Sequence, residues 1–194
     1  MVHLDEGFNF LGFTVRRKSQ KKLITTPSTA ACARLRARLR TEVRALHGAN
    51  AEAVLRRLIP IVRGWAAYYR AVASSMTFSS LDHYMWRLTF KWARRRHRNK
   101  SRYWVVDRYF GRFHPSRRDR WVFGDRDSGA FLIKFAWAGI VRHQLVKGGA
   151  SPDDPALAEY WRGRRRRKAP PPMDKTSLLL AVRQHGLCPL CKQH

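Results

Sequence analysis

Positive charge is the feature of this sequence that most constrains how the chain folds and what it binds. The 40 lysine and arginine residues outnumber the 13 aspartate and glutamate residues, giving a net charge of +27. Self-repulsion of this size opposes compaction, and a polyanion relieves it as counterions are released. Hydrophobic residues make up 44% of the chain, so a folded core is expected. An aromatic share of 12% favours a folded basic surface over a polycationic arm.

The sequence favours a reducing, cytoplasmic setting. Its three cysteines, Cys32, Cys188 and Cys191, are odd in number and irregularly spaced, which argues against a disulfide framework. No apolar run approaches the roughly 20 residues of a membrane span, so no membrane partner is expected. The first ten residues lack the basic and apolar regions of a secretory signal.

The first part of the chain predicts a β-hairpin followed by a helix. Residues 8–15 and 22–26 are β-prone and flank a polar turn. Thr26 and Pro27 are typical of a helix start, with Thr26 as the cap and Pro27 at the first helical position. One apolar stripe then follows helical spacing, at Leu35, Leu39, Val43 and Leu46.

Two more amphipathic helices are predicted before residue 100. Asn50 can cap the second, which Pro60 is expected to kink or restart. Ser79 and Asp82 resemble a capping box that would start the third. That helix would end in the basic run Arg94–Arg98. Three amphipathic helices joined by short links are typical of a small bundle.

Beyond residue 100 the pattern is mixed. It predicts a short helix at 101–110, strands at 121–123 and 131–137, a helix at 151–161, a basic Pro-rich linker at 162–172 and a final helix at 176–185.

Three stretches resemble the reverse transcriptase/maturase proteins encoded within bacterial group II introns. Residues 7–13, GFNFLGF, are similar to the primer-grip region that follows the palm in these proteins. Residues 58–70, LIPIVRGWAAYYR, are similar to the maturase-specific region. So are the later positions Phe78, Leu81, Asp82, Tyr84, Trp86, Trp92, Arg95, Arg96 and His97. A third similarity, to the block that follows that region, covers residues 140–143, residues 146–152 and the pair Tyr160-Trp161. The stretches occur in the family's order and span nearly the whole chain.

The resemblance implies a C-terminal fragment of such a protein, with the thumb, the maturase-specific domain X and the start of a nuclease domain of the His-Asn-His type (HNH). The family's polymerase holds two metal ions with a Tyr-Ala-Asp-Asp turn. This sequence has no such turn. We therefore expect no catalytic residues and no enzymatic activity of the chain on its own, with fingers and palm lying upstream of Met1.

The expected fold is mainly α, with a short N-terminal β-hairpin, a thumb-like three-helix bundle and then a small mixed α+β maturase region. Four segments are expected: a palm or primer-grip remnant hairpin at 1–25, the thumb-like bundle with the core of the maturase motif at 26–98, the rest of the maturase region at 99–162, and a basic Pro-rich linker with a truncated Cys-x-x-Cys stub at 163–194.

RNA binding needs cations for phosphates and flat groups for exposed bases. Arg63 and Tyr68 lie off the strongest apolar face, whereas Trp65 and Tyr69 share a face that also suits the core. The predicted RNA contacts are Arg34, Arg38, Arg63, Tyr68, Arg70, Arg94, Arg95, Arg96, His97, Arg142, His143 and Lys147.

Simpler interpretations of the same residues stay open. The basic run after Arg94 also suits the negative end of a helix dipole. Arg142, His143 and Lys147 precede the pair Gly148-Gly149, which is equally typical of an ordinary loop.

Cys188 and Cys191 have the spacing of half a zinc site. Tetrahedral zinc needs four ligands, and only His185 and His194 lie near them in sequence. A zinc site and a remnant of the nuclease domain therefore both stay open, and no other cofactor is expected. Cys32 lies among alanines and is expected to be a small packed side chain.

The leading hypothesis is an RNA-binding maturase fragment that binds structured intron RNA and assists its folding and splicing. The alternative is a partner-dependent piece of a split or truncated RNA-directed DNA polymerase, which would need a separate palm subunit. A third is a decayed gene product that folds poorly. DNA at the intron's target site is a further possible partner.

Overall fold

The computed structural model describes residues 4–17, 22–142, 146–167, 179–180 and 182–184. The chain divides into two compact units, Met1–His143 and Gln144–His194. The boundary between the two units, after His143, coincides with none of the expected segment boundaries. The division into four segments stays a prediction. The fold is mainly α with small antiparallel sheets, in agreement with the expected class. None of the helices in the described ranges is long and apolar enough to cross a membrane.

The N-terminal sheet has three antiparallel strands, β1 (Phe8–Phe10), β2 (Phe13–Arg17) and β3 (Leu23–Pro27), in sequence order. The expected single strand over 8–15 is wrong, because the chain turns tightly at Leu11 and Gly12. Both have positive φ, 48° and 84°. Gly12 suits this turn for two reasons. Glycine tolerates the positive φ, and a Cβ at this position would lie 2.6 Å from the Tyr69 hydroxyl.

Helix α1 spans Thr29–Ala45 and begins later than predicted. Thr26 and Pro27 are not its start, because β3 continues through Pro27 and pairs with β2. Ser28 is the N-cap, and its Oγ accepts a hydrogen bond from the Ala31 amide at 3.2 Å. The predicted apolar stripe is confirmed at Leu35, Leu39 and Val43, all buried.

Helix α2 spans Ala51–Tyr69 and is capped by Asn50, as predicted, with the Ala53 amide 2.9 Å from Asn50 Oδ1. The expected restart at Pro60 is wrong, because the helix runs through it, whereas the alternative of a kink stays a prediction. Pro60 and Arg56 lie on the exposed face. Water can therefore satisfy the Arg56 carbonyl that loses its helical donor, which reduces the cost of the proline.

Helix α3 spans Ser75–Arg96, so the capping box expected at Ser79 and Asp82 is wrong. Asp82 instead accepts hydrogen bonds from the backbone amides of Phe135 and Ala136, at 2.7 and 3.0 Å. Burial raises the pKa of Asp82, and these two hydrogen bonds oppose the rise. Asp82 thus fastens a distant segment to α3, which no local pattern indicates.

We expect Asp82→Asn to destabilise the protein by about 1–3 kcal/mol, since the new amide group turns a donor toward a buried backbone donor. Urea unfolding followed by circular dichroism measures the change. Asp127→Asn is the matched control, because it removes a carboxylate from an exposed pair with Arg108 and should change stability by about 1 kcal/mol or less. Equal stability of the two variants would show that Asp82 does not anchor the 135–136 segment.

The rest of the first unit packs against α3. Helix α4 (Arg102–Tyr109) is confirmed and capped by Ser101. Strands β4 (Phe110–Gly111) and β5 (Val122–Phe123) form a small antiparallel pair. The strand expected over 131–137 is wrong in part, because Phe131 makes only an isolated bridge and Phe135–Trp137 form a 3-10 turn. Asp82 accounts for that turn, because it holds its first two amides.

One hydrophobic core joins α1, α2, α3 and the segments that follow them. It includes Leu39, Leu58, Phe78, Trp92 and Phe135, all nearly inaccessible to solvent. Aromatic rings contact one another through it: Trp65 packs edge-on against Phe135 at 5.7 Å, and Trp92 packs edge-on against Phe123 at 5.7 Å. The core therefore fixes how α1 and α3 lie beside each other.

The second unit contains α5 (Ala158–Arg167), preceded by a 3-10 turn at Pro155–Leu157. The expected linker at 162–172 is wrong for its first part, because α5 continues to Arg167. Arginine is a good helix former, so the basic run itself does not end a helix. Residues 179–180 and 182–183 are helical, within the helix expected at 176–185.

Candidate nucleic-acid interface

A groove of about 530 Å³ lies between α1 and α3, and we call it the basic groove. Its lining residues are Arg40, Val43, Arg44 and His47 from the α1 side, and Tyr84, Arg87, Leu88, Lys91, Trp92 and Arg95 from α3. None of these described lining residues is an aspartate or glutamate. The groove therefore gathers five cations without a neutralising carboxylate.

Helical spacing places the five cations. Arg40 and Arg44 lie four residues apart on α1, so they share one face. Arg87, Lys91 and Arg95 repeat the same spacing along α3. The ion pairs within the described ranges involve other side chains, such as Arg57 with Glu42. The five cations can therefore pair with an anion that approaches from solvent.

His47 lines the basic groove, where burial and two of the groove's arginines act on it together. It is half-buried at the end of α1. Partial burial lowers the pKa of His47, and the charges of Arg95 and Arg44 lower it further. The same field that disfavours a protonated imidazole favours a phosphate group.

Two hydrogen bonds across the groove fix the separation of its walls. The Trp92 indole Nε1, on α3, donates to the Leu46 carbonyl at the end of α1 over 2.7 Å. The Tyr84 hydroxyl donates to the Arg36 carbonyl of α1 over 3.0 Å. Because both walls are tied together, the backbone positions that carry the cations are set before any ligand arrives, which lowers the entropic cost of binding.

The predicted basic cluster at the end of α3 divides between two roles. Arg95 lines the basic groove. Arg96 donates to the carbonyls of Gly48 and Ala49, at 3.2 and 2.6 Å, and so ties the α1–α2 link to α3. Arg94 makes a longer bond, 3.4 Å, to the Lys100 carbonyl. Structural contacts therefore account for part of this cluster.

His97, which follows α3, contacts Tyr109 of α4. Its Nε2 lies 2.8 Å from the Tyr109 hydroxyl. Partial burial lowers the pKa of His97, and the nearby Arg96, Arg108 and Lys100 lower it further. The His97 side chain therefore helps to hold α3 against α4. Its predicted role as an RNA contact stays a prediction.

A second groove, of about 520 Å³, lies between α1 and α2. It brings together three predicted contacts, Arg34, Arg38 and Tyr68, over an apolar floor that includes Trp65 and Ile61. Tyr68 is 52% exposed, and its hydroxyl donates to the Leu11 carbonyl at 3.0 Å. Phe13 stacks on one face of its ring at 5.2 Å, so only part of Tyr68 is open to a ligand.

The other predicted contacts that lie within the described residues do not line either groove. Arg63 and Arg70 are exposed on or just after α2, and Arg142 is exposed near the end of the first unit. Lys147 belongs to the second unit, where its amide donates to the Tyr160 hydroxyl at 3.1 Å. His143 lies outside the described residues, as do Cys188 and Cys191.

Within the ranges that the structure describes, no three histidine, cysteine or acidic residues come together as a metal site. The predicted zinc site at Cys188 and Cys191 lies outside those ranges, and it stays a prediction. Cys32 is half-buried, and burial raises the pKa of its thiol. A raised pKa keeps the thiol protonated, which suits a packed side chain.

Sequence reasoning missed most of the basic groove. Arg40, Arg44, Arg87 and Lys91 were not predicted as RNA contacts. A signal was present, because Arg87, Lys91 and Arg95 form one stripe along α3 at a spacing of four. The prediction of RNA contacts relied instead on the run Arg94–Arg98. Consecutive residues of a helix point to different sides, so such a run does not form one surface.

Residues 32–110 match the family model described as group II intron, maturase-specific domain. The match begins at Cys32 within α1 and extends through α2, α3 and α4, so it includes all five cations of the basic groove. Over these residues the chain is similar to the maturase-specific domain of group II intron proteins. No curated protein matches the chain.

Proposed function

We propose that this chain is an RNA-binding maturase that holds structured group II intron RNA in the basic groove. The observation that carries the proposal is the set of five cations, Arg40, Arg44, Arg87, Lys91 and Arg95, fixed on two helices with no carboxylate among the lining residues. Arginine forks suit paired contacts to phosphate oxygens, and lysine adds a point charge. The maturase-specific match over the same helices supports intron RNA as the polyanion.

The proposed mechanism is stabilisation of one RNA fold by binding. A protein that binds the splicing-competent fold more tightly than other folds shifts the RNA population by its differential affinity. A rigid groove suits this task, because its cations match phosphates only where two RNA segments lie at the right separation. In this proposal the RNA performs its own transesterification, and the chain itself catalyses no step.

Salt-dependent binding tests the proposal. We expect the chain to bind a transcript of a folded group II intron more tightly than a random RNA of equal length and composition. Affinity for both should fall as salt rises, because each phosphate contact releases counterions. The intron's advantage over random RNA should be largest at low salt and shrink as salt rises, because it comes from additional phosphate contacts that the folded shape brings into register. Equal affinity for the two RNAs at every salt concentration would refute the maturase proposal.

A second candidate is a partner-dependent piece of an RNA-directed DNA polymerase. The observation in its favour is the exposure of four large apolar side chains in and beside the N-terminal sheet, Phe8, Phe10, Leu11 and Leu23. Clustered exposed apolar side chains are typical of protein interaction sites. Addition of this chain to a group II intron polymerase fragment that contains the palm should then increase DNA synthesis, and no increase would remove this candidate.

A further inference from the structure

An aromatic cleft lies on the side of α3 that faces away from α1. It has a volume of about 340 Å³ and is lined by Asp82, His83, Trp86, Trp121 and Lys134. Trp121, just before β5, is 54% exposed although its residue type favours burial. The helical core explains why Trp86 lies here, but no packing requirement explains an open indole beside it.

The rings of the cleft offer two perpendicular surfaces. Trp121 and Trp86 lie 6.1 Å apart at 90°, and His83 lies nearly parallel to Trp86 at 6.1 Å. Phe90 also lies parallel to Trp86, at 5.4 Å and 10°, so Trp86 is already stacked and Trp121 is the open ring. A flat heteroaromatic ring that enters the cleft can therefore stack on Trp121 and meet Trp86 at a right angle. These are the two arrangements that aromatic pairs prefer.

The charges of the cleft favour a neutral ring over a phosphate. Asp82 brings a carboxyl group into the lining, and Lys134, the only lysine or arginine in it, already pairs with Asp119 at 3.1 Å. The basic groove has the opposite character. A ligand that carries a flat neutral ring beside an anionic group would therefore match both sites, with the ring in the cleft and the anion in the basic groove.

The cleft and the basic groove are neighbours on α3. His83 of the cleft and Arg87 of the groove are four residues apart, so they are adjacent on the helix surface. The two sites face different sides of α3 and meet only along the edge between His83 and Arg87, so a strand would pass around that edge to reach from the groove into the cleft.

We propose that the cleft between Trp86, Trp121 and His83 binds one unstacked nucleobase of single-stranded RNA. This inference rests on the proposed function, because the phosphates beside that base occupy the basic groove. Unpaired bases of loops and bulges are the parts of a folded RNA that can be inserted in this way. The basic groove would then recognise phosphate charge, and the cleft would recognise an unpaired base.

The test compares two short RNA oligonucleotides of equal length, one with all its bases and one with abasic sugars throughout. Their phosphate charge is the same, so any difference in affinity, followed by fluorescence anisotropy, comes from the bases. We expect the base-bearing oligonucleotide to bind the unaltered protein about tenfold more tightly. Trp121→Ala should remove that difference, and Trp121→Phe should keep most of it, because a phenyl ring also stacks.

Tyr103→Ala is the matched control, because Tyr103 is an aromatic side chain 88% exposed on α4 and does not line the cleft. It should leave both affinities unchanged. Equal, salt-dependent binding of the two oligonucleotides to the unaltered protein would overturn the cleft proposal alone. Failure of both to bind at low salt would overturn the proposed function as well. A base-dependent difference that survives in Trp121→Ala would also overturn the assignment to this cleft.

Discussion

Replacement of Arg87, Lys91 and Arg95 together by glutamine is expected to weaken binding of structured RNA roughly 100-fold at about 0.1 M salt. The three side chains form one wall of the basic groove. If each contacts one phosphate, their loss lowers the steepness of the salt dependence by about 2 to 3 in the logarithmic plot. Filter binding or anisotropy across a salt series measures both quantities on the same samples.

The matched control removes the same charge from another surface. Arg102, Arg112 and Arg118 are exposed in the same unit and line neither groove. Their replacement by glutamine lowers the net charge equally, so it isolates the effect of position. We expect it to cost much less affinity and to leave most of the salt dependence. If the two triple variants weaken binding alike, general charge attracts the RNA and the groove has no special role.

Stability of the groove variant should not fall. The three cations make no ion pair within the described residues, and they repel one another across a short distance. Their removal should leave the free energy of unfolding unchanged or slightly higher. A loss of affinity accompanied by unfolding would therefore contradict this account of the groove.

Trp92→Ala is expected to destabilise the protein by about 3–5 kcal/mol, the largest effect of any single change considered. Trp92 is 1% exposed, and its ring packs edge-on against Tyr109 and Phe123. Its truncation leaves a cavity between α3 and α4 and removes the hydrogen bond to the Leu46 carbonyl. The midpoint of urea unfolding, with the slope held to that of the unaltered protein, measures the loss.

Trp92→Phe separates packing from hydrogen bonding. It keeps most of the aromatic volume and leaves the Leu46 carbonyl without its donor, which is expected to cost about 1–3 kcal/mol. Because that bond joins α1 to α3, the variant should also weaken RNA binding by the remaining folded protein. Full stability of Trp92→Ala would mean that the ring is not a core residue, contrary to its burial.

Local chemistry predicted much of the secondary structure. Asn50 capped α2 because a side-chain oxygen there reaches the Ala53 amide wherever the rest of the chain lies. The apolar stripe from Leu35 to Val43 marked the buried face of α1. Predictions failed where a longer-range contact prevailed: β3 pairing carried the chain past Thr26 and Pro27 as a strand, and the exposed position of Pro60 let α2 continue.

By itself the sequence determined that this is a basic, aromatic-rich, mainly helical chain with a maturase-like motif, since charge, periodicity and motif spacing are local properties. Only the tertiary structure decided which cations act together. Periodicity gives the angular position of Arg87 or Arg44 on its own helix, but the choice of facing helix depends on burial of the shared core. The same packing brought Asp82 to the 135–136 amides and Trp121 to Trp86. Residues far apart in sequence became one surface because their apolar neighbours had to leave water.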